Sequence, residues 1–123
     1  MLNCFFVGIG GFFGSVFRYL LGQIPIKSQM NLPIMTLLIN IIGSFFIGFV
    51  VAAAVKNGNM NEHLLLFLKV GLCGGFTTFS TFSLESQKLF QTGQTASGLF
   101  YILFSVALCI VSVASAEVIV KTL

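Results

Sequence analysis

Charge is what this chain has least of. Of 123 residues only 7% are Asp, Glu, Lys or Arg, where a soluble domain carries roughly 25%. With 57% hydrophobic residues and a mean hydropathy of +1.06, there is too little polar surface to cover a body in water. A lipid bilayer is the expected solvent and partner. Three acids and one histidine also exclude most catalysis. No Ser-His-Asp, Cys-His or paired-carboxylate arrangement can be assembled from them, so an enzyme is not expected. His63 follows Glu62 at a loop-to-helix junction and reads as solvated. The six basic residues are scattered, without the clustered basic face that a nucleic-acid partner requires. Three cysteines, Cys4, Cys73 and Cys109, are odd in number and far apart. They suit neither a disulfide framework nor a zinc site and read as small buried hydrophobes. No basic stretch precedes the first apolar run, so that run is expected to persist as a membrane span and not as a cleaved leader.

What the chain has is four long apolar segments and almost nothing else. They run from Leu2 to Leu21, Pro33 to Val55, Glu62 or His63 to Phe90, and Thr95 to Val120. At about 20 residues per span, this predicts an all-α membrane protein with four transmembrane helices in a single domain, residues 1–123. Pro33 stands near the first turn of segment two, where its missing N–H costs little, and Lys56-Asn57-Gly58-Asn59 ends that segment. The connections are short, which makes neighbouring helices antiparallel.

Orientation is undecided by charge. Four spans place Lys56, Lys69 and Lys121 toward one side and Arg18, Lys27 and Lys88 toward the other. A Lys/Arg excess normally sets orientation, and the balance here is even. Insertion both ways is open to such a chain. An antiparallel homodimer would then form a two-chain version of the inverted repeats of transporters.

The most informative stretch lies in segment three: Gly71-Leu72-Cys73-Gly74-Gly75-Phe76-Thr77-Thr78-Phe79-Ser80-Thr81-Phe82-Ser83-Leu84-Glu85. A lipid-facing helix has no use for so many hydroxyls. Its glycines predict a break near Gly74-Gly75, and irregular backbone at membrane depth is tolerated only in protein or beside a cavity. Helical spacing puts Phe76, Phe79 and Phe82 on one face, and Thr77, Ser80 and Thr81 on another. Separately these are ordinary packing and back-bonding patterns. Together, beside a break, aromatic edges and hydroxyls make an anion path, and freed carbonyls of residues 74 to 77 make a cation site. Glu85 and Lys88 at i, i+3 read as a helix-end ion pair, as do Glu117 and Lys121.

Elsewhere, Gly8-Ile9-Gly10-Gly11-Phe12-Phe13-Gly14 lacks the strand that a dinucleotide loop needs; Gly10 and Gly14 read as a face for close helix packing. Arg18, followed by Tyr19, fits two roles: a snorkelling interfacial anchor, or a fixed positive charge drawing anions to a vestibule. Asn40 and Ser44 share a face of segment two; Asn40 is either glue between helices or a donor to a passing ion.

Three of these patterns, in order, resemble the Fluc (CrcB) family of bacterial fluoride channels: Gly10-Gly11 with Gly14 and Arg18-Tyr19, Thr36-Leu37 with Asn40 and Gly43-Ser44-Phe45, and Gly74 to Ser83 with Glu85. The resemblance covers nearly the whole chain. It implies a dual-topology, antiparallel homodimer in the bacterial inner membrane, with the third helix broken mid-membrane. It implies two fluoride pores whose aromatics are Phe79 and Phe82 and whose polar track includes Asn40, Ser80 and Thr81. Tyr101 would be a pore-side tyrosine, and Arg18 and Thr36 would lie toward vestibules. It further implies a structural Na+ held by the backbone carbonyls of Gly74 and Thr77. The function expected is passive, fluoride-selective export that lowers cytoplasmic fluoride. The competing expectation is a small dual-topology proton-coupled exporter, but segment one carries no acid to serve it.

Overall fold

The computed structural model describes residues 1–26, 28 and 30–123; Lys27, counted above in the charge balance, lies outside the described residues. Every element among those residues is helical. α1 spans Leu2–Gly22 and α2 spans Ile34–Asn57. A short α3 (Glu62–Leu65) passes into a π-helical segment, Leu66–Cys73, and then into one turn, α4 (Gly74–Phe76). α5 (Phe79–Gln91) and α6 (Thr95–Thr122) complete the chain. Four stretches are long and apolar enough to cross a membrane: Leu2–Gly22, Ile34–Asn57, Glu62–Gln91 and Thr95–Thr122. Their limits match the expected segments closely.

Local chemistry sets the ends. Gly58 takes the left-handed conformation (φ 65°) that a β-carbon disfavours, and its N–H closes α2 on the carbonyl of Ala54. Asn61 caps α3, its Oδ1 accepting from the N–H groups of His63 (2.8 Å) and Leu64 (3.4 Å). Thr78 caps α5 in the same manner, its Oγ1 accepting from the N–H of Thr81 at 3.2 Å.

Within the third span the glycines behave differently from expectation. Gly74 is helical (φ −64°, ψ −37°), and the extended residues are Thr77 (φ −79°, ψ 157°) and Thr78 (φ −148°, ψ 112°). The glycines serve close approach instead. A β-carbon on Gly71 would lie 2.8 Å from Cα of Gly10, and one on Gly75 would lie 2.7 Å from the carbonyl oxygen of Gly11. α1 therefore rides backbone-on-backbone along the π segment and α4. α2 pairs with α6, where a β-carbon on Gly48 would meet the Val113 carbonyl at 2.8 Å. The core is small: Phe82, Leu89 and Tyr101, flanked by Leu32, Leu37 and Ile102. Most large apolar side chains, Phe5, Phe12, Phe46, Leu103 and Ile110 among them, face outward. Such an inside-out distribution is that of a body solvated by lipid and protein.

Candidate functional site

Thr77 and Thr78 interrupt the helical ladder, so their backbone groups need other partners. Asn40, on α2, supplies them for Thr78. Its Oδ1 accepts from the Thr78 N–H at 2.8 Å and its Nδ2 donates to the Thr78 carbonyl at 3.2 Å. One side-chain amide thus stands in for the two helical bonds that Thr78 forgoes. Thr77 turns back on its own helix, its N–H and hydroxyl both donating to the Cys73 carbonyl at 3.0 Å. Nε of Arg18 donates to the Gly75 carbonyl at 3.2 Å, tying α1 to the same region. Among the described residues the carbonyl of Thr77, which lies outside the helices, accepts no hydrogen bond.

Hydroxyls converge just beyond the extended pair. Thr78 donates to Oγ1 of Thr81 at 3.0 Å and lies 3.3 Å from the hydroxyl of Ser80. One turn further, Glu85 collects two donors from other helices. Thr36 donates to Oε1 at 2.7 Å and Tyr101 to Oε2 at 2.9 Å. Charge-assisted hydrogen bonds of this length are the strong kind. They draw α2, α5 and α6 together around one carboxylate. Tyr101, 1% exposed, also packs its ring on Phe82 at 5.3 Å between centroids, and Phe82 packs on Phe79 at 5.4 Å. Phe79 is 77% exposed.

Two cavities flank the Asn40–Thr78 clasp. The outer one, about 560 Å³, is polar, with Arg18, Thr36, Thr81 and Glu85 in its wall. The inner one, about 340 Å³, is mostly apolar, walled by Phe79, Phe82 and aliphatic side chains, with Asn40, Ser44, Thr77 and Ser105 as its polar contributors. Thr78 lines both. An anion entering past the guanidinium would meet hydroxyls, then the clasp, then aromatic rings.

Comparison with known proteins decides the family. The family model described as CrcB-like protein, Camphor Resistance (CrcB), matches residues 5–116. The chain belongs to the CrcB family. It is 43% identical, over its full length and 95% of the relative, to a protein of Ruminiclostridium cellulolyticum named Fluoride-specific ion channel FluC. It is 44% identical to a protein of the same name from Agrobacterium fabrum, over 92% of this chain and 91% of the relative. A third of that name, from Methanocaldococcus jannaschii, is 43% identical over 87% of this chain and 85% of the relative.

In this CrcB chain the residues singled out from sequence fall into five places. Arg18, Thr36 and Thr81 share the outer cavity; Asn40, Phe79 and Phe82 share the inner one. Tyr101 lines neither cavity and reaches the site through Glu85 and Phe82, while Ser80 is exposed at the α5 N-terminus. Gly74 lies in α4, before the break, and Thr77 is the first of the extended pair, in the wall of the inner cavity. Sequence reasoning missed two residues. Thr78 was one hydroxyl among several, yet it is the clasp. Glu85 was paired with Lys88, but both of its oxygens face hydroxyls on α2 and α6 instead. An acid within a span is a signal in itself, and the nearby lysine masked it.

Proposed function

We infer that this CrcB chain is a fluoride-selective channel that lets fluoride leave the cell passively. The observation that carries the reading is the shared wall at Thr78: a cationic, hydroxyl-lined mouth leads to an aromatic cavity across one residue. The names of its relatives support the same reading. Fluoride is small and strongly hydrated, so a path must replace its water with donors that hold it weakly enough to let go. Thr81 and Ser80 hydroxyls, the remaining N–H of Asn40 and the positive ring edges of Phe79 and Phe82 are donors of that strength. Arg18 is the charge that gathers anions at the mouth. Glu85, held by Thr36 and Tyr101, keeps those two hydroxyls oriented while its own charge is partly offset. A membrane potential negative inside contributes roughly 2.3 kcal/mol per charge per 100 mV to outward movement of an anion, so export needs no coupled ion.

The working unit is an antiparallel homodimer in the bacterial inner membrane, with the extended pair Thr77–Thr78 at mid-membrane depth. Phe79 supports this, since a ring that is 77% exposed beside a polar cavity calls for a cover. The even Lys/Arg balance supports insertion in both directions. The carbonyls of Gly74 and Thr77 are hard oxygen donors that would hold a structural sodium ion, that of Thr77 lying outside the helices without a hydrogen-bond partner among the described residues. No cluster of three His, Cys, Asp or Glu that suits another metal occurs among those residues. Bound there, the ion would offset the cost of an anion in a low dielectric. A proton-coupled exporter finds no acid in α1.

Purified protein in liposomes loaded with fluoride, read with a fluoride electrode, tests the function. Rapid fluoride release with chloride retained in parallel vesicles is the expected outcome. Retention of fluoride by vesicles containing folded protein rejects it.

A further inference from the structure

An anion approaching the Thr78 clasp meets charge of both signs. Arg18 and Glu85 stand in the wall of the same outer cavity, and the carboxylate opposes any anion that passes. The hydroxyls of Thr36 and Tyr101 offset that charge only in part. Arg18 is itself partly engaged, since its Nε donates to the Gly75 carbonyl. Beyond Glu85 lies another cavity, about 320 Å³, between the chain at Asn31 and the turn at Gln94, where the Asn31 amide donates to Oε1 of Gln94 at 3.5 Å. Pro33 and Glu85 line both this recess and the outer cavity, so the two meet across one wall. Lys88 is the one cation in the lining of the recess among the described residues. Its charge is not spent on Glu85, whose two oxygens face hydroxyls.

We propose that this recess is a second approach to the outer cavity and that Lys88 gathers fluoride in it. The inference rests on the conduction path proposed above. A cation in a cleft with low-dielectric walls raises the local concentration of anions and with it their rate of entry. Lys88 lines the side of Glu85 that Arg18 does not, and there it counters the repulsion of the carboxylate. Acting through water over about 8 Å, one unit charge changes the local anion concentration roughly twofold. The action is electrostatic alone, so either basic side chain at position 88 supplies it. Salt removes it, because the screening length falls from about 30 Å at 0.01 M to about 3 Å at 1 M.

The test moves the charge without changing its amount. Gln87 is exposed and lines neither the recess nor the outer cavity. Gln87→Lys/Lys88→Gln therefore takes the charge out of the recess while preserving composition, net charge and the Lys/Arg balance between the two ends. Wild type, this exchanged variant and Lys88→Arg are reconstituted in liposomes holding a low fluoride concentration. Efflux is read in potassium gluconate at ionic strengths of about 0.01 M and about 1 M. The exchanged variant should release fluoride at roughly half the wild-type rate at the lower ionic strength and at the wild-type rate at the higher, with the same melting temperature. Lys88→Arg, which returns a charge to the recess, should rescue the rate. An exchanged variant that keeps pace with a conducting wild type at the lower ionic strength overturns the second approach, and the channel reading stands. Slowing by the same factor at both ionic strengths, or Lys88→Arg as slow as the exchange, also overturns it, since structure and not charge would be responsible. Wild type that releases no fluoride overturns the channel reading and this inference with it.

Discussion

Asn40 shows how much a single side chain can carry. Its amide satisfies both backbone groups of Thr78, one of the least exposed polar residues in the chain. Leaving a buried donor or acceptor unpaired costs about 1–3 kcal/mol. Asn40→Ala orphans two, and should lower the melting temperature in detergent and abolish efflux together. Asn40→Asp separates the bonds: the carboxylate still accepts from the Thr78 N–H but confronts the Thr78 carbonyl with no donor, so it should melt below wild type as well. Unchanged melting in both variants would mean that the clasp does not hold the extended pair. Tyr101→Phe acts on the other anchor. It strips one donor from Glu85 at a site that is 1% exposed, keeping the ring on Phe82. Hydrogen bonds to charged groups contribute roughly 1.5–3 kcal/mol. Efflux should fall and the melting temperature drop, with the elution volume on gel filtration unchanged. Phe82→Ile removes the ring that links Phe79 to Tyr101 and should reduce efflux while assembly survives.

At the scale of elements, the contact between α1 and the third span is set by backbone approach. Gly75→Ala would place a methyl 2.7 Å from the Gly11 carbonyl, a rigid backbone atom. The helices must move apart along their whole contact, loosening the Arg18 bond to Gly75 as well. Gly8→Ala, on the same α1, meets nothing within 4 Å. A helical Gly→Ala exchange favours the helix by about 1 kcal/mol. Thermal melts of the two alanine variants should therefore shift in opposite directions; equal shifts would refute the close-packed seam. The same elements show what local sequence can and cannot disclose. Span limits were legible because Pro33, Gly58 and the loop around Gly93 are local punctuation. The expected break near Gly74-Gly75 rested on glycine's local propensity, whereas the extended residues Thr77 and Thr78 are held by Asn40, 38 residues from Thr78. Glu85 was misread for the same reason: its partners Thr36 and Tyr101 are 49 and 16 residues distant, and Lys88 is three. The π segment has no periodic mark of its own and went unread.

At the scale of the whole molecule, one chain leaves the site open. Phe79 projects from it, and much of every span's apolar surface lies outside the core. If two chains insert oppositely and cover one another, orientation parity is a functional requirement and not an accident of composition. Parity can be broken without touching either cavity. Asn57 and Asn59 lie exposed at one end of the bundle, and Gln91 lies exposed at the other. Asn57→Lys with Asn59→Arg adds positive charge to one end only, and Gln91→Arg adds it to the opposite end. A Lys/Arg excess sets orientation in short loops, so each variant should insert mainly one way and pair poorly with itself. Cells lacking other fluoride export should then be fluoride-sensitive with either variant alone and tolerant when both are expressed together. Tolerance conferred by each variant alone, with single-sided labelling of its loops, would reject the antiparallel pair, because chains of one orientation would then suffice to conduct.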